Sequence, residues 1–374
     1  MKLCPYADHW VGLHDINHRL TCLNETGRYI WLAHGEGVPV AEITRQLCKK
    51  SGKSENSMEV EVRQLLASIS VLDQEADASP PFRGDAGRSR SQLIRVPESE
   101  PSFQTMYYRL GGALMAIQSP HKLFRELITP LIGHMAIAVQ AQVHLLIQLD
   151  NDGKDYLLQL TNETLKLSTY DKLVERLLFE MLEAAYRVSR TLAVLHAAAV
   201  MKDDQALLFI GAQGSGKSTL VASLCAENMT YLSDDLCPLD EKGRLVPVPA
   251  PQAIKKGSWQ VLSRDYPDIL ELPVYQRLGH AVRYLPPINK NAGSWQQAWH
   301  VGALIFPGYD ANTEPLIEAL DPLEKLQLLT LSNSLRGDSD LAELLQWLEE
   351  KPAYRLSYSD TNQVAGLLEQ IQLN

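Results

Sequence analysis

The chain has 374 residues, more than one domain usually contains, so two or three domains are expected. Hydrophobic residues make up 45% and charged residues 21% of the sequence, as in a globular protein with a substantial core. The formal net charge is −10. This charge argues against nucleic acid or an anionic membrane as the main binding partner, because both require a cationic protein surface.

Cysteine usage favours a reducing compartment, and a cytoplasmic location is predicted. The least polar long stretch, residues 131–149, contains histidines and glutamines, which predicts core structure rather than a membrane span. The first ten residues, MKLCPYADHW, contain no apolar signal core. The cysteines are scattered, form no CxxC pair and predict neither a disulfide framework nor a structural zinc site; they are Cys4, Cys22, Cys48, Cys225 and Cys237.

Residues 1–73 predict a small winged-helix-like module. The polar–apolar alternation in HWVGLHDINHRLTCL, broken at residues 15–17, predicts two short strands joined by a turn. Three helical segments follow. The first begins after Asn24, a residue type that caps helix N-termini, and the second ends at Gly52, a residue type that ends helices.

Three further segments differ in composition. Residues 74–105 are rich in Pro, Ser, Gly and charged residues, which predicts a flexible linker. Residues 106–190 mix apolar strand-like and helix-like segments and predict a small α+β domain. Residues 191–374 alternate strands with helices, which is typical of an α/β domain. The predicted fold class of the whole chain is therefore α/β, with two smaller modules before the main domain.

The clearest motif is GAQGSGKS, which matches the phosphate-loop pattern GxxxxGK[ST]. It lies between a buried strand-like segment and a helix-like segment, as the pattern requires. Its glycines would let backbone N–H groups turn inward onto phosphate oxygens. Lys217 is predicted to reach the β- and γ-phosphates of ATP, and the Ser218 hydroxyl to bind Mg²⁺. The predicted nucleotide-binding residues are Gly211, Ala212, Gln213, Gly214, Ser215, Gly216, Lys217, Ser218 and Thr219.

Two adjacent carboxylates, Asp234 and Asp235, follow a strand-like segment one helix after this loop. Neighbouring strand residues point to opposite faces, but the alternation stops where a strand ends, so both carboxylates can reach the phosphates. One could hold Mg²⁺ and the other could accept a proton from an attacking hydroxyl. Alternatively, the pair only ends the strand. His196, which lies before the loop strand, is from its residue type either a core residue or a functional one.

Taken together, LHAAAV, GAQGSGKST and LSDD resemble the catalytic domain of HPr kinase/phosphorylase and, more closely, the HPr-kinase-related peptide and protein kinases. The resemblance covers roughly residues 107–374. It implies an HPr-kinase-like P-loop fold with ATP and Mg²⁺. It also implies that Asp235 is the general base toward a seryl hydroxyl, that Asp234 lies near the metal or nucleotide, and that His196 orients the site.

The same resemblance makes Lys255 and Arg283 candidate phosphate contacts; on an acidic protein they could equally be surface charges. The sequence departs from the HPr kinases at one place, because it has no RGLGI-like signature after the Asp pair. This departure leaves open whether HPr is a substrate and whether the reverse phosphorolysis reaction occurs.

The segment LNETGRYIWLAHGEGVPVAEITRQL, residues 23–47, resembles the PqqD family of RiPP recognition elements. These are small winged-helix domains that hold the leader part of a ribosomal precursor peptide, and the resemblance covers about the first 73 residues. It implies that a peptide adds as a strand to an exposed sheet edge and packs against the third helix. Residues 10–15 or 18–23 could supply that edge, and both remain open.

The two resemblances predict an ATP-dependent serine kinase, a phosphotransferase that acts on a ribosomally made precursor peptide. The N-terminal module would hold the leader peptide, and the linker would raise the local substrate concentration. Two alternatives remain: a kinase of a free small molecule or of an HPr-like protein, and a non-catalytic nucleotide-sensing peptide adaptor. The expected partner is the precursor peptide, not nucleic acid or a membrane, and the HPr kinase resemblance is compatible with a homo-oligomer.

Overall fold

The computed structural model describes residues 3–14, 19–74, 93–188, 191–287, 292–332, 334–336 and 340–373. The predicted turn at residues 15–17 and the part of the predicted linker from 75 to 92 lie outside the described residues. Among the described residues, no helix is both long and apolar enough to cross a membrane.

The N-terminal segment forms a three-stranded antiparallel sheet followed by three helices. Asn24 caps the first helix by accepting the backbone N–H of Gly27 at 2.8 Å. Gly52 ends the second helix in a left-handed conformation with φ of 71°. One strand precedes the two that the alternation predicts, and it pairs with the strand of residues 9–13. Residues 10–13 therefore lie in the middle strand and do not supply an exposed sheet edge, contrary to one of the two expectations. The elements are β1 (Leu3–Tyr6), β2 (His9–Leu13), β3 (Leu20–Leu23), α1 (Glu25–Gly35), α2 (Val40–Ser51) and α3 (Glu55–Gln74).

The middle segment forms a six-stranded sheet covered by a long helix, in the strand order β11-β10-β9-β6-β5-β7. Two parts of the predicted linker are strands here: β4, which pairs with β8, and the first residues of β5. The elements are β4 (Ile94–Arg95), β5 (Phe103–Leu110), β6 (Ala113–Pro120), α4 (His121–Leu123), a π-helical turn (Phe124–Ile128), α5 (Thr129–Ile132), a 3₁₀ turn (Gly133–Met135), β7 (Ala136–Ile137), β8 (Gln142–Val143), β9 (Leu145–Asn151), β10 (Tyr156–Gln159), β11 (Thr164–Leu167) and α6 (Tyr170–Val188).

The C-terminal segment continues with seventeen described strands and α-helices. They are β12 (Thr191–Leu195), β13 (Ala197–Lys202), β14 (Gln205–Ile210), α7 (Lys217–Ala226), β15 (Thr230–Ser233), β16 (Cys237–Asp240), β17 (Gln252–Lys255), α8 (Trp259–Leu262), β18 (Tyr275–Arg277), β19 (His280–Leu285), β20 (Val301–Tyr309), β21 (Leu316–Ala319), α9 (Pro322–Ser332), β22 (Leu335–Arg336), α10 (Leu341–Glu350), β23 (Ala353–Tyr358) and α11 (Val364–Leu368). Short 3₁₀ turns lie at Lys256–Ser258, Pro267–Leu270, Ala292–Trp295 and Thr361–Gln363.

The main sheet has the order β15-β13-β14-β20-β23-β21, with β14, β20 and β23 parallel. Its central strands are apolar on both faces because helices cover both sides. Leu207 and Phe209 of β14 lie in a cluster with α7. Leu208 and Ile210, which alternate with them, lie in a second cluster with α9 and α10. This arrangement places the end of β14 and the start of α7 at one edge of a rigid layered core, as expected for an α/β fold.

The N-terminal sheet packs directly onto the C-terminal segment. Cys4, Tyr6, Val11 and Leu20 are buried in the apolar cluster that also contains Leu329 of α9. Strand β1 contacts α10, and strand β3 contacts α9. The N-terminal module is therefore joined to the phosphate-loop domain by a shared apolar core in addition to the chain connection.

Candidate functional site

The phosphate loop connects the end of β14 to the first residue of α7. Gly214 and Gly216 have φ values of 87° and 90°, a conformation that glycine adopts without a steric penalty. A Cβ atom on Gly211 would lie 2.7 Å from the Ser215 Oγ. The loop thus requires glycine at these positions, for reasons of backbone conformation and close approach. That the loop N–H groups surround a phosphate group stays a prediction of the motif.

Lys217 is buried at the mouth of this loop. Its Nζ donates hydrogen bonds to the carbonyl oxygens of Gly211 at 2.7 Å and Ala212 at 3.1 Å. Burial lowers the pKa of Lys217, and the nearby carboxylates of Asp234 and Asp235 oppose that effect. The ammonium group therefore lies between the loop and the two carboxylates, where it can face an anionic ligand.

Asp234 is the buried member of the Asp pair, with 5% of its surface exposed. Burial raises its pKa, the neighbouring Asp235 carboxylate raises it further, and hydrogen bonding from the Ser218 hydroxyl and the charge of Lys217 oppose the rise. One of its oxygens also accepts the backbone N–H of Asp235 at 3.0 Å. The Asp234 carboxylate and the Ser218 hydroxyl thus lie next to each other at the start of α7.

Asp235 adopts a left-handed backbone conformation with φ of 65°, which is uncommon for a residue with a Cβ atom. The strand ends there, and the turn lets both carboxylates face the same cavity. The Asp235 Oδ2 lies 2.9 Å from Nη1 of Arg277, and its carbonyl oxygen lies 3.2 Å from the His196 Nδ1. Burial alone would raise the pKa of Asp235, but the charges of Arg277 and His196 outweigh it and lower the pKa.

Arg277 lies on a hairpin that closes one side of the site. The turn between β18 and β19 consists of Leu278 and Gly279, both with positive φ (49° and 77°), which is the pattern of a tight two-residue hairpin turn. Two residues before Arg277, the ring of Tyr275 stacks on that of Tyr170 in α6, with centroids 6.0 Å apart. The hairpin is therefore fixed to α6 close to the arginine.

These elements surround a cavity of about 480 Å³. Most of the predicted site residues line it, although they come from distant parts of the chain. They are His196, Ala212, Gln213, Gly214, Gly216, Lys217, Ser218, Thr219, Asp234, Asp235 and Lys255.

Gly211 and Ser215 belong to the loop but are not among the described residues that line the cavity. Outside the loop, Arg283 is the predicted site residue that the structure places elsewhere. It is not one of the described residues that line the cavity. Its Nη1 donates to the Ile269 carbonyl oxygen, and its guanidinium group lies 4.2 Å from the centroid of the Trp259 ring. Val282 and Tyr284, its neighbours on β19, do line the cavity, so strand alternation turns Arg283 to the opposite face. The structure therefore does not support the predicted phosphate contact at Arg283, which stays an untested prediction.

Arg277 is the functional candidate that the sequence analysis missed. It lies 42 positions after Asp235, on a strand of three residues with no motif of its own. The RLGH segment at the hairpin tip, with a glycine in a two-residue turn, is the signal that could have directed attention to it.

Comparison with known proteins adds little to this geometry. No model of a protein family matches the chain, and a search of curated proteins gives no match. Among solved structures, one similar chain is described as the structure of the Hpr(Ser) kinase/phosphatase from Coxiella burnetii. It is 14% identical, the match covers 47% of this chain and 91% of that chain, and the TM-score is 0.22. A similarity this weak carries no inference about the reaction.

The residues present fit a nucleotide with a divalent cation. The Ser215 Oγ is buried and has no hydrogen-bond partner among the described residues, so a polar group is available inside the loop. Mg²⁺ commonly takes one or two protein ligands together with phosphate oxygens, and the adjacent Ser218 and Asp234 oxygens match that donor set. Within the described part of the chain, no group of three or more His, Cys, Asp or Glu side chains could hold a metal alone.

Proposed function

We propose that this chain is an ATP- and Mg²⁺-dependent kinase that phosphorylates a hydroxyl group, a serine of a ribosomally made precursor peptide. The observation that carries the proposal is the position of Asp235. A partly exposed carboxylate lies beside the phosphate loop, where Arg277 pairs with its Oδ2 and His196 contacts the backbone carbonyl oxygen of the same residue. Such a carboxylate can accept a hydrogen bond from the substrate hydroxyl that receives the phosphoryl group. Nucleotide binding alone does not require this role.

The roles of the other residues follow from their positions. The Lys217 ammonium would move from the loop carbonyls to the β- and γ-phosphate oxygens. Ser218 and Asp234 would hold Mg²⁺, which when bound neutralises charge on the phosphates. Asp234 would be ionised in that complex, because a cation lowers the pKa of its ligands.

Asp235 would orient the acceptor hydroxyl and take its proton. Its lowered pKa keeps it ionised at neutral pH, so it is always an acceptor, although a weak base. Phosphoryl transfer tolerates a weak base because its transition state is loose and most of the catalysis is positioning and charge stabilisation. His196 would help to fix Asp235 through the backbone carbonyl.

The peptide part of the proposal is supported by the N-terminal segment. It resembles a leader-binding module in sequence, and its sheet packs against α9 and α10 of the phosphate-loop domain. A peptide held there would be close to the catalytic cavity. Other acceptors, a small molecule or an HPr-like protein, are tested by the same assay.

The test measures phosphate transfer from radiolabelled ATP to precursor peptides encoded beside the gene, to HPr and to small-molecule alcohols. Asp235→Asn should lower transfer roughly 100-fold or more while leaving ATP affinity unchanged. Asp268→Asn is the matched control, because Asp268 is exposed and is not among the described cavity-lining residues. Turnover equal to wild type in Asp235→Asn would contradict the proposed role. ATP binding without transfer to any acceptor would favour a non-catalytic adaptor.

A further inference from the structure

The cavity has a second, apolar end that the proposed transfer reaction does not use. Six side chains form it, and we refer to them as the apolar wall: Leu178, Phe179, Leu182, Leu278, Val282 and Leu331. Leu278 is 58% exposed and Leu331 is 77% exposed. Single exposed apolar residues are ordinary, but here two of them border the same cavity as buried apolar side chains.

The apolar wall lies on the Asp235 side of the phosphate loop. Leu278 directly follows Arg277, which pairs with Asp235. Tyr284 connects this side to α6, because its ring lies 5.2 Å from that of Tyr275, which stacks on Tyr170 of α6. Tyr284 and Glu175 of α6 both line the cavity. The α6 residues of the wall therefore lie beyond the γ-phosphate position, next to the proposed acceptor carboxylate.

The other side of the loop combines polar groups with apolar residues of β17, Ala253 and Ile254, and suits the nucleoside. The Thr219 hydroxyl lies 2.6 Å from the Ser258 hydroxyl, and the Gln252 amide donates to the Ser218 carbonyl oxygen at 3.3 Å. Lys255 lines the cavity on the same strand, β17, as Gln252. Because the nucleoside extends away from the γ-phosphate, it would occupy this side and leave the apolar wall free.

We infer that the apolar wall binds a bulky apolar side chain next to the phosphorylated residue of the substrate. The inference rests on the proposed kinase function and defines its substrate class: a peptide hydroxyl with an aliphatic or aromatic neighbour. Transferring such a side chain from water to the wall is favourable. A charged neighbour in the same place would lose hydration against the six apolar side chains of the wall.

The experiment uses the full chain, radiolabelled ATP and a peptide library with one fixed serine. The residue on each side of the serine is set in turn to Leu, Phe, Asp or Lys. Peptides with Leu or Phe at one of these positions should show kcat/KM values about 10-fold or more above those with Asp or Lys. Phe179→Ala and Leu331→Ser should each reduce this preference by about 3-fold or more, with the KM for ATP unchanged.

Val139→Ser is the matched control for Leu331→Ser. Val139 is 79% exposed and is not one of the described residues that line the cavity, so its replacement should leave the preference as in wild type. Equal labelling of all peptides, whatever residue neighbours the serine, would overturn the inference and leave the proposed kinase function intact. A raised KM for ATP in the wall variants with an unchanged peptide preference would also overturn the inference. It would indicate that the apolar wall binds the adenine base of ATP. Absence of labelling in every peptide, with ATP bound, would overturn the proposed kinase function and the inference with it.

Discussion

The Nη1 atom of Arg277 lies 2.9 Å from the Oδ2 atom of Asp235, so the proposed acceptor carboxylate is one half of a partly buried ion pair. The pair raises the pKa of Arg277 and helps to hold that of Asp235 down. Arg277 thus helps to keep Asp235 ionised, and it lines the same cavity as the phosphate loop.

Replacing Arg277 with Gln should shift the pH dependence of the reaction. Without the guanidinium charge, burial dominates and the pKa of Asp235 rises. Because the ionised carboxylate is the active form, the acidic limb of the kcat/KM profile should move to higher pH. We also expect kcat at neutral pH to fall roughly 100-fold, since a charge near the phosphates is lost. The measurement is the pH–rate profile of phosphate transfer.

Arg244→Gln is a suitable control for this prediction. Arg244 forms an ion pair with Asp240 at 2.7 Å, and it is not one of the described residues lining the cavity. Its profile should match that of wild type. An acidic limb in Arg277→Gln at the same pH as in wild type would contradict the proposed influence on Asp235.

Ser218→Ala and Asp234→Asn should each weaken the response to Mg²⁺. Both remove an oxygen of the proposed metal site, so the Mg²⁺ concentration for half-maximal activity should rise at least about 10-fold. Chelation of Mg²⁺ with EDTA should abolish transfer by the wild-type protein. Ser263→Ala, which removes a hydroxyl bonded to the Gln260 carbonyl oxygen, should respond to Mg²⁺ as wild type does. The metal assignment fails if all four proteins have the same Mg²⁺ dependence.

Gly216→Ala should weaken ATP binding. The φ of 90° at Gly216 disfavours a residue with a Cβ atom by roughly 1–2 kcal/mol, and the new atom would lie 3.2 Å from the Tyr358 hydroxyl. A loop that relaxes to avoid this strain no longer directs its N–H groups inward. Isothermal titration calorimetry should show ATP affinity lowered by about 10-fold or more.

Gly366→Ala is the contrasting substitution. Gly366 lies within α11, and a Cβ atom there meets open space, so this change should keep ATP affinity and raise stability slightly. Equal ATP affinities for the two alanine variants would show that the loop conformation is unimportant for binding.

Val11→Asp should destabilise the whole protein rather than the N-terminal segment alone. Val11 is fully buried in the cluster shared with α9 and α10, and an unpaired carboxylate there costs several kcal/mol. The expected result in thermal unfolding is a lowered Tm for a single transition. Val60→Asp is the control, because Val60 is 53% exposed on α3. Two separate wild-type transitions, only one of which shifts, would mean that the segments unfold independently.

The sequence predicted best those features that depend on neighbouring residues. The phosphate loop is contiguous, and its glycines are required by local backbone geometry, so GAQGSGKS is sufficient to predict it. The cap at Asn24 and the end of a helix at Gly52 are local for the same reason. The division of roles between Asp234 and Asp235 stays a prediction, although their different burial is compatible with it.

Features that depend on the tertiary fold could not be predicted. Arg277 and Arg283 are both cations on the same hairpin. Which of them lines the cavity depends on the face of its strand from which the side chain projects. The packing of Val11 against α9 and α10 requires two surfaces from opposite ends of the chain to be complementary, and no sequence motif encodes that.

Helix α9 contacts both the N-terminal sheet, through β3, and the cavity, which its last residues Leu331 and Ser332 line. A helix of 11 residues is about 16 Å long. A leader peptide seated on that sheet would therefore start at a set distance from Asp235. An extended chain covers roughly 3.3 Å per residue. Under the proposed function, precursors would be selected by the number of residues between the leader segment and the serine.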